Sequence, residues 1–250
     1  MEHVEHMAAS KPVAKRSGRR RGAGRPSQST SVGGVAILDA TLQILRVTPP
    51  EKVTVVDVAS AAKVDPALVR YYFKSRQGLL RAAVAHMLED VQAKSRPIVS
   101  DGTTLEQRLR GRLALLITVL RENPYLLRLV LGEIYRGNST PRHDEILRGI
   151  ALGGVSLSEA LLAPGGSDTI SDEVDPRFLH VAMLGICTFF IEARPLLDVL
   201  FEKNARPDGL AEQYIDFATK LILRGIVNDA DKKQRSLAMG RRKNNKSQAN

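Results

Sequence analysis

Apolar side chains along this chain recur at intervals of three and four, the signature of helices that bury one face. Ile37, Leu38, Thr41, Leu42 and Leu45 trace one stripe and predict a helix over 33–47, which Pro49-Pro50 ends. A short second helix follows Thr54, with Val55, Val58, Ala59 and Ala62 at helical spacing. The Thr54 hydroxyl can cap it by accepting from a free backbone N–H two or three residues on. Lys63 and Val64 interrupt the pattern, Asp65 offers a second cap, and Pro66 takes the first helical position, where a missing N–H costs nothing. The helix over 66–72 is expected to bury Leu68 and Val69 and to leave Ala67, Arg70, Tyr71 and part of Tyr72 outside. Ser75 caps a third helix carrying Leu79, Leu80, Ala83 and Val84, which should run to about Ala93 through His86, Met87 and Val91. Small Ala59 and Ala62 stand where two helices must cross closely. Two short helices and a tight turn of this kind form a helix-turn-helix, whose second helix enters a DNA major groove.

From residue 96 the helices lengthen. Arg96-Pro97 and Asp101-Gly102 should break the chain before a helix from Thr104 to Arg121, with Leu105, Leu109, Leu113, Leu116 and Leu120 inward. Asn123-Pro124 starts another to about Tyr135, with Leu127, Val130 and Ile134 on one side and Gly137-Asn138 at its end. After Pro141 a helix containing Ile146, Ile150, Leu157 and Leu161 runs to about Ala163. Its Gly149, Gly153 and Gly154 each lower helix stability by up to about 1 kcal/mol. They mark either a yielding point or a place of close helix packing. A loop over 164–174 precedes Asp175, which caps, and Pro176, which opens a long helix through Phe178, Val181, Met183, Leu184, Cys187, Phe189 and Phe190. Pro195 must end or kink it. Pro207-Asp208 opens the last helix, where Leu210, Tyr214, Phe217, Leu221 and Ile226 repeat and Arg224-Gly225 stops the pattern. With few β-branched alternations anywhere, the fold class is all-α.

Charge changes this picture less than its size suggests. The net charge is +10 over 250 residues. Residues 1–30 hold seven Lys/Arg against two Glu, and residues 229–250 hold seven against two Asp, so the region between them is neutral. A high pI therefore says nothing about the folded part. Both tails lack the apolar side chains for a core and read as disordered. In the first, Arg19, Arg20, Arg21 and Arg25 stand just before the first helix, and Gly24-Arg25-Pro26 is similar to the centre of an AT-hook, with Ala23 where that motif has Arg. Such an arm either reaches into a narrow minor groove or remains a solvated tail that adds only phosphate attraction. No apolar run approaches the length of a membrane span or a signal-peptide core. One cysteine, Cys187, cannot form an intrachain disulfide, so a reducing cytoplasm is the expected compartment.

The stretch from Thr54 to Leu80 resembles the DNA-binding segment of TetR-family transcriptional regulators. Thr54, Val58, Ala59, Ala62, Val64, Tyr72, Phe73, Ser75 and Leu79 stand in register with that family's pattern. The chain departs from it at the turn glycine (Lys63), the serine cap (Asp65), a habitual tyrosine (Arg70) and the helix-opening lysine (Arg76). Lys63 is then expected in a left-handed conformation at some cost. The resemblance implies a DNA-binding domain over 31–80 and a helical ligand-binding and dimerisation domain over 81–228, joined by the connecting helix 75–93. It implies a dimer on a near-palindromic operator. Arg70 and Tyr71 would contact bases, with Pro66 and Ala67 against the base edges, and Thr54, Tyr72, Lys74 and Arg76 would hold phosphates. An effector pocket below the head would draw on Met87, Tyr125, Tyr135, Met183, Cys187 and Phe190. The last two long helices would form the four-helix dimer interface through Phe178, Ala182, Gly185, Phe189, Tyr214, Phe217 and Leu221.

Catalytic chemistry has no footing. His3, His6, His86, His143 and His180 fall in no metal-ligand spacing, and Gly-rich phosphate loops and nucleophile elbows are absent. Cys187 on an apolar helix reads as a core thiol. No enzyme activity, cofactor or metal is expected. The expected function is a ligand-responsive repressor, a cytoplasmic homodimer released from DNA by a small hydrophobic or amphipathic molecule. The alternative is a low-specificity architectural or interaction protein that binds DNA through its basic tails.

Overall fold

α1 (Val32–Leu45) turns the predicted stripe inward. Ile37, Leu38 and Leu45 are buried, and Thr41 joins them by donating its hydroxyl to the Ile37 carbonyl at 2.7 Å. The computed structural model describes residues 32–100, 104–135, 141–163, 170, 173–201 and 207–227. Arg19, Arg20, Arg21, Arg25 and the basic tail 229–250 lie outside the described residues, as do His3 and His6.

A 3-10 turn (Pro50–Lys52) leads to α2 (Val55–Ala62) and α3 (Pro66–Phe73). α4 (Arg76–Ser100) then runs past the predicted stop at Arg96-Pro97. Pro97 lies in the last turn, where it forfeits a single ladder bond. That turn is held from outside: Val99 is buried, and its carbonyl accepts from Arg108 Nη1 at 3.4 Å.

α5 (Leu105–Glu122) begins with a capping box between Thr104 and Gln107. The single helix predicted to Tyr135 is instead a short α6 (Leu126–Leu129) that widens into a π-helix (Val130–Tyr135). Leu126, Leu129, Val130 and Ile134 are buried there, and Leu127, expected inward, is half-buried. α7 (Pro141–Leu162), α8 (Pro176–Glu192), α9 (Arg194–Leu200) and α10 (Pro207–Ile226) complete the chain, with Pro195 in the first turn of α9, where the predicted kink falls. Among the described residues the sole β pairing is an isolated bridge between Ile170 and Val227.

Two hydrophobic cores result. The first gathers residues 37–84, including Val58, Val69, Phe73, Leu79 and Leu80, and also takes in Leu126, Leu129, Val130 and Ile134. The second lies among α4, α5, α7, α8 and α10, centred on Leu109, Leu113, Leu161, Met183, Cys187 and Ile215. α4 contributes to both, with Leu79 and Leu80 at one end and Val91 and Val99 at the other.

Candidate nucleic-acid interface and its connections

The short helices of the head are positioned by their ends. Thr54 Oγ1 accepts from the Asp57 N–H at 3.1 Å, and Asp57 Oδ2 accepts from the Thr54 N–H at 3.2 Å, a reciprocal cap. Lys63 closes α2 at φ 57°, and the Val64 N–H reaches the Ala59 carbonyl at 2.9 Å. This left-handed closure ordinarily takes glycine, and a side chain there costs about 1–2 kcal/mol. Asp65 Oδ1 then accepts from the Ala67 N–H at 2.6 Å, starting α3. Lys74 ends α3 at φ 65°, ψ −43°, where the Ser75 N–H bonds the Phe73 carbonyl at 2.7 Å across a γ-turn. Lys63 and Lys74 are the two non-glycine residues of positive φ among those described, and they bracket α3.

This bracketing sets which face of α3 is exposed. Val69 and Phe73 are buried; Leu68, expected to join them, is half-buried because the last turn instead drives Phe73 into the core. Ala67, Arg70 and Tyr71 are exposed, and Pro66 and Tyr72 are half-buried. The Tyr71 ring stands edge-on to Tyr72 with centroids 5.5 Å apart, and Lys74 Nζ lies 5.3 Å from its centroid. Lys74 Nζ also donates to the Tyr71 carbonyl at 2.9 Å. The Tyr72 hydroxyl leans on α1, where a Cβ added at Gly33 would meet it at 3.3 Å. Arg76 is turned inward: its Nε donates to the Val53 carbonyl at 2.7 Å and its Nη2 to the Pro50 carbonyl. It thereby ties the start of α4 to the loop before α2. The Thr54 hydroxyl is likewise engaged in its own cap.

Beyond the shared core, polar contacts among the described residues join this head to the rest. Arg81 Nε donates to the Glu133 carbonyl at 3.2 Å, and Arg81 Nη2 lies 3.9 Å from Glu133 Oε2, close enough for attraction but too far for a hydrogen bond. Arg128 Nη1 meets Glu51 Oε1 at 3.0 Å. His86 Nε2 sits 3.3 Å from Asp39 Oδ1, a packing contact between α4 and α1.

The six predicted pocket residues do not converge. Met183, Cys187 and Phe190 are buried along one face of α8, and burial pushes the Cys187 thiol up to about 12. Met87 packs on the head core, Tyr125 precedes α6 with Arg128 over its ring at 5.8 Å, and Tyr135 is exposed. A cleft of about 280 Å³ among α5, α8, α9 and α10 includes Phe190 alone of the six. Sequence reasoning passed over the polar groups of the body core. Arg108 and Arg112 are buried, three residues after Leu105 and Leu109 on the same stripe, so a count of that face could have found them. Arg112 Nη1 donates to Ser95 Oγ, and burial lowers the Arg112 pKa to about 10. Burial first, and the nearby Arg112 charge second, lower that of His180.

Of the predicted dimer residues, Phe178, Phe189, Phe217 and Leu221 are exposed to 77%, 65%, 61% and 54%, a large apolar surface for one chain. Ala182 and Gly185 are exposed between the two phenylalanines of α8. Tyr214 faces the other way: its ring stacks on Phe190 at 4.0 Å and its hydroxyl donates to the Ile186 carbonyl at 3.1 Å.

Comparison with known proteins places this arrangement. The family described as bacterial regulatory proteins, tetR family, matches residues 37–83, and the tetracyclin repressor-like C-terminal domain matches residues 103–232. Similar solved structures include the fatty acid degradation regulator FadR from Bacillus halodurans, at TM-score 0.56 and 18% identity over 78% of this chain and 96% of that one. FadR from Bacillus subtilis in complex with stearoyl-CoA aligns at TM-score 0.53 and 16% identity, covering 73% and 95%. AibR in complex with isovaleryl coenzyme A and operator DNA aligns at 0.52 and 16%, covering 75% and 96%. No curated protein matches the chain in sequence.

Proposed function

The chain belongs to the TetR family of bacterial regulatory proteins, and from that premise we propose that it is a repressor, a homodimer on a near-palindromic operator that an effector releases. The observation that carries this is the exposed face of α3. Ala67, Arg70 and Tyr71 point outward from a helix held at both ends by local hydrogen bonds. A helix presented in this way fits a major groove. Arg70 and Tyr71 reach base edges, Pro66 and Ala67 set the approach, and Tyr72 and Lys74 contact phosphates. Thr54 and Arg76 serve register by holding the frame of the two helices, since their polar atoms already have partners. The arginine arm adds minor-groove or phosphate contacts beside the head.

Residues 31–80 act as the reading head and residues 81–228 as the body. The exposed faces of α8 and α10 pair with those of a second copy, bringing two heads to one side of the DNA. The effector is a small hydrophobic or amphipathic molecule, a class to which the acyl thioesters bound by two of the similar structures belong. Binding in the body shifts α4 and the α6–π segment, which touch the head core directly, and so respaces the two recognition helices. Its free energy enters as a difference in affinity between two states.

A footprint on genomic fragments selected by the protein tests this reading. A protected two-fold symmetric site, with half-sites about one helical turn or a multiple apart, is the expected result. Diffuse, salt-labile coverage without symmetry would defeat it. Tyr71→Ala should relax sequence preference, and deletion of residues 1–25 should weaken binding and flatten its salt dependence.

A further inference from the structure

Two buried arginines stand four residues apart on α5, and their surroundings differ. Arg108 donates to the carbonyls of Val99, Ala160 and Ala163 at 3.3–3.4 Å, around the C-terminal ends of α4 and α7. The negative ends of two helix dipoles compensate its charge there. Arg112 has no such compensation. It is 3% exposed, its hydrogen bond among the described residues goes to Ser95 Oγ, and its Nε, like that of Arg108, is buried without a partner. No Asp or Glu among the described residues forms an ion pair with it. The Ser95 hydroxyl spends its own proton on the Val91 carbonyl at 2.6 Å, so it can only accept from Arg112 and brings no charge.

The neighbourhood is made for polar side chains. A Cβ at Gly153 would meet the Gln92 amide at 2.2 Å, and one at Gly154 would meet the His180 ring at 2.4 Å. Two successive glycines of α7 thus leave room for a polar side chain from α4 and another from α8. Gln92 uses that room to donate to the Ile150 carbonyl at 2.8 Å. Leu109, Leu113, Met183 and Cys187 belong to the core of this same body, all fully or almost fully buried. A guanidinium is charged at any physiological pH, and burying it without a counter-charge is strongly unfavourable.

We propose that Arg112 anchors the effector and that the missing counter-charge is a carboxylate: the body binds a carboxylic acid with an apolar tail. The carboxylate pairs with the free edge of Arg112 near His180, and the tail lies among the aliphatic side chains of α5 and α8. This rests on the reading of the chain as an effector-released regulator and names the effector's class. The coenzyme A phosphates of an acyl-coenzyme A offer similar oxygen chemistry, but that bulky, hydrated carrier suits an open cleft. A guanidinium buried in the body core favours a compact anion.

The test is calorimetric titration of the full chain with straight-chain carboxylates from butanoate to hexadecanoate, the matching primary alcohols and the matching acyl-coenzyme A thioesters. Each series is repeated on R112M and R112K. At least one carboxylate should bind about tenfold or more tighter than its alcohol, and R112M should lose about that factor, as expected for a charge-assisted bidentate contact. R112K should fall between. Without ligand, R112M should melt at or above the parent temperature, because an unpaired buried charge is gone. The proposal fails if alcohols bind as tightly as acids, if only thioesters bind, if no carboxylate binds, or if R112M leaves binding unchanged. It also fails if R112M does not fold or melts well below the parent, since the guanidinium is then structural. A gel-shift on operator DNA separates this from the wider reading. Carboxylates that bind through Arg112 without loosening the operator complex leave the site standing and sink the effector reading. Release by thioesters that R112M does not affect does the reverse.

Discussion

The two cores of this molecule are made of the same aliphatic side chains and differ in what else they hold. Among the described buried residues of the head only Thr41 is polar, and it satisfies itself on the Ile37 carbonyl one turn back. The body buries Ser95, Arg108, Arg112, Ser158 and Thr219. Ser158 and Thr219 bond back to their own helices at 3.5 and 2.7 Å, Arg108 is met by helix ends, and Arg112 is left over. A core without unmet polar groups favours one arrangement strongly. A core that keeps an unneutralised charge favours whichever arrangement supplies the counter-charge. The head is therefore built to present α3 in one way, and the body is built to respond.

Leu79→Ala is the severest test of that contrast. Leu79 is fully buried where α4 meets the head, and truncation should cost about 2–5 kcal/mol in urea unfolding. A loss well under this range would mean that the head core repacks as freely as the body. Arg81→Ala comes next. It removes the cation beside the half-buried Glu133 carboxylate and the bond to the Glu133 carbonyl. A stability loss of about 1–3 kcal/mol is expected. Operator affinity should also become less sensitive to effector, because the π segment would no longer be tied to α4. Lys63→Gly should work in the opposite direction, raising the unfolding free energy measured in urea by about 0.5–1 kcal/mol through relief of the left-handed side chain. No gain there would show that Lys63 is held by contacts worth more than its strain.

The smallest effect belongs to the body's surface. Asp175 caps α8 by accepting from the Arg177 N–H at 2.8 Å. The Arg177 guanidinium, and then that backbone bond, hold its carboxyl down to about 2. A carboxyl depressed on folding contributes stability that is complete above its unfolded value near 4 and is lost as pH falls toward about 2. Asp175→Asn should flatten the acid limb of the stability profile over that window and leave neutral pH nearly unchanged.

Local chemistry was readable in the chain, and long-range chemistry was not. Thr54, Asp65 and Pro66 act within three residues of themselves, so their roles as helix starts could be stated from spacing, and the left-handed Lys63 followed from the family resemblance, which has glycine at that turn. Pro97 misled because its cost depends on what holds the last turn of α4, and Arg108 does so from the next helix. The π-helix over Val130–Tyr135 carries no local signal; it accompanies the docking of that segment on the head. Leucines marked the inner face of α5 so clearly that the two arginines on it went unnoticed. Tyr214 shared a helical face pattern with Phe217 and Leu221, yet its ring found Phe190 inside the same chain.

The head borrows Leu126, Leu129, Val130 and Ile134 from a segment far along the chain, and that loan has a consequence in time. A nascent chain leaves the ribosome at roughly 5–20 residues per second. When Val84 has emerged, the head owns its helices but not its full core, and several seconds pass before Ile134 can close it. During that interval the apolar side of α1 and α4 is open to chaperones and proteases. The element that would carry the effector's signal to the head is thus also the last part needed to finish it.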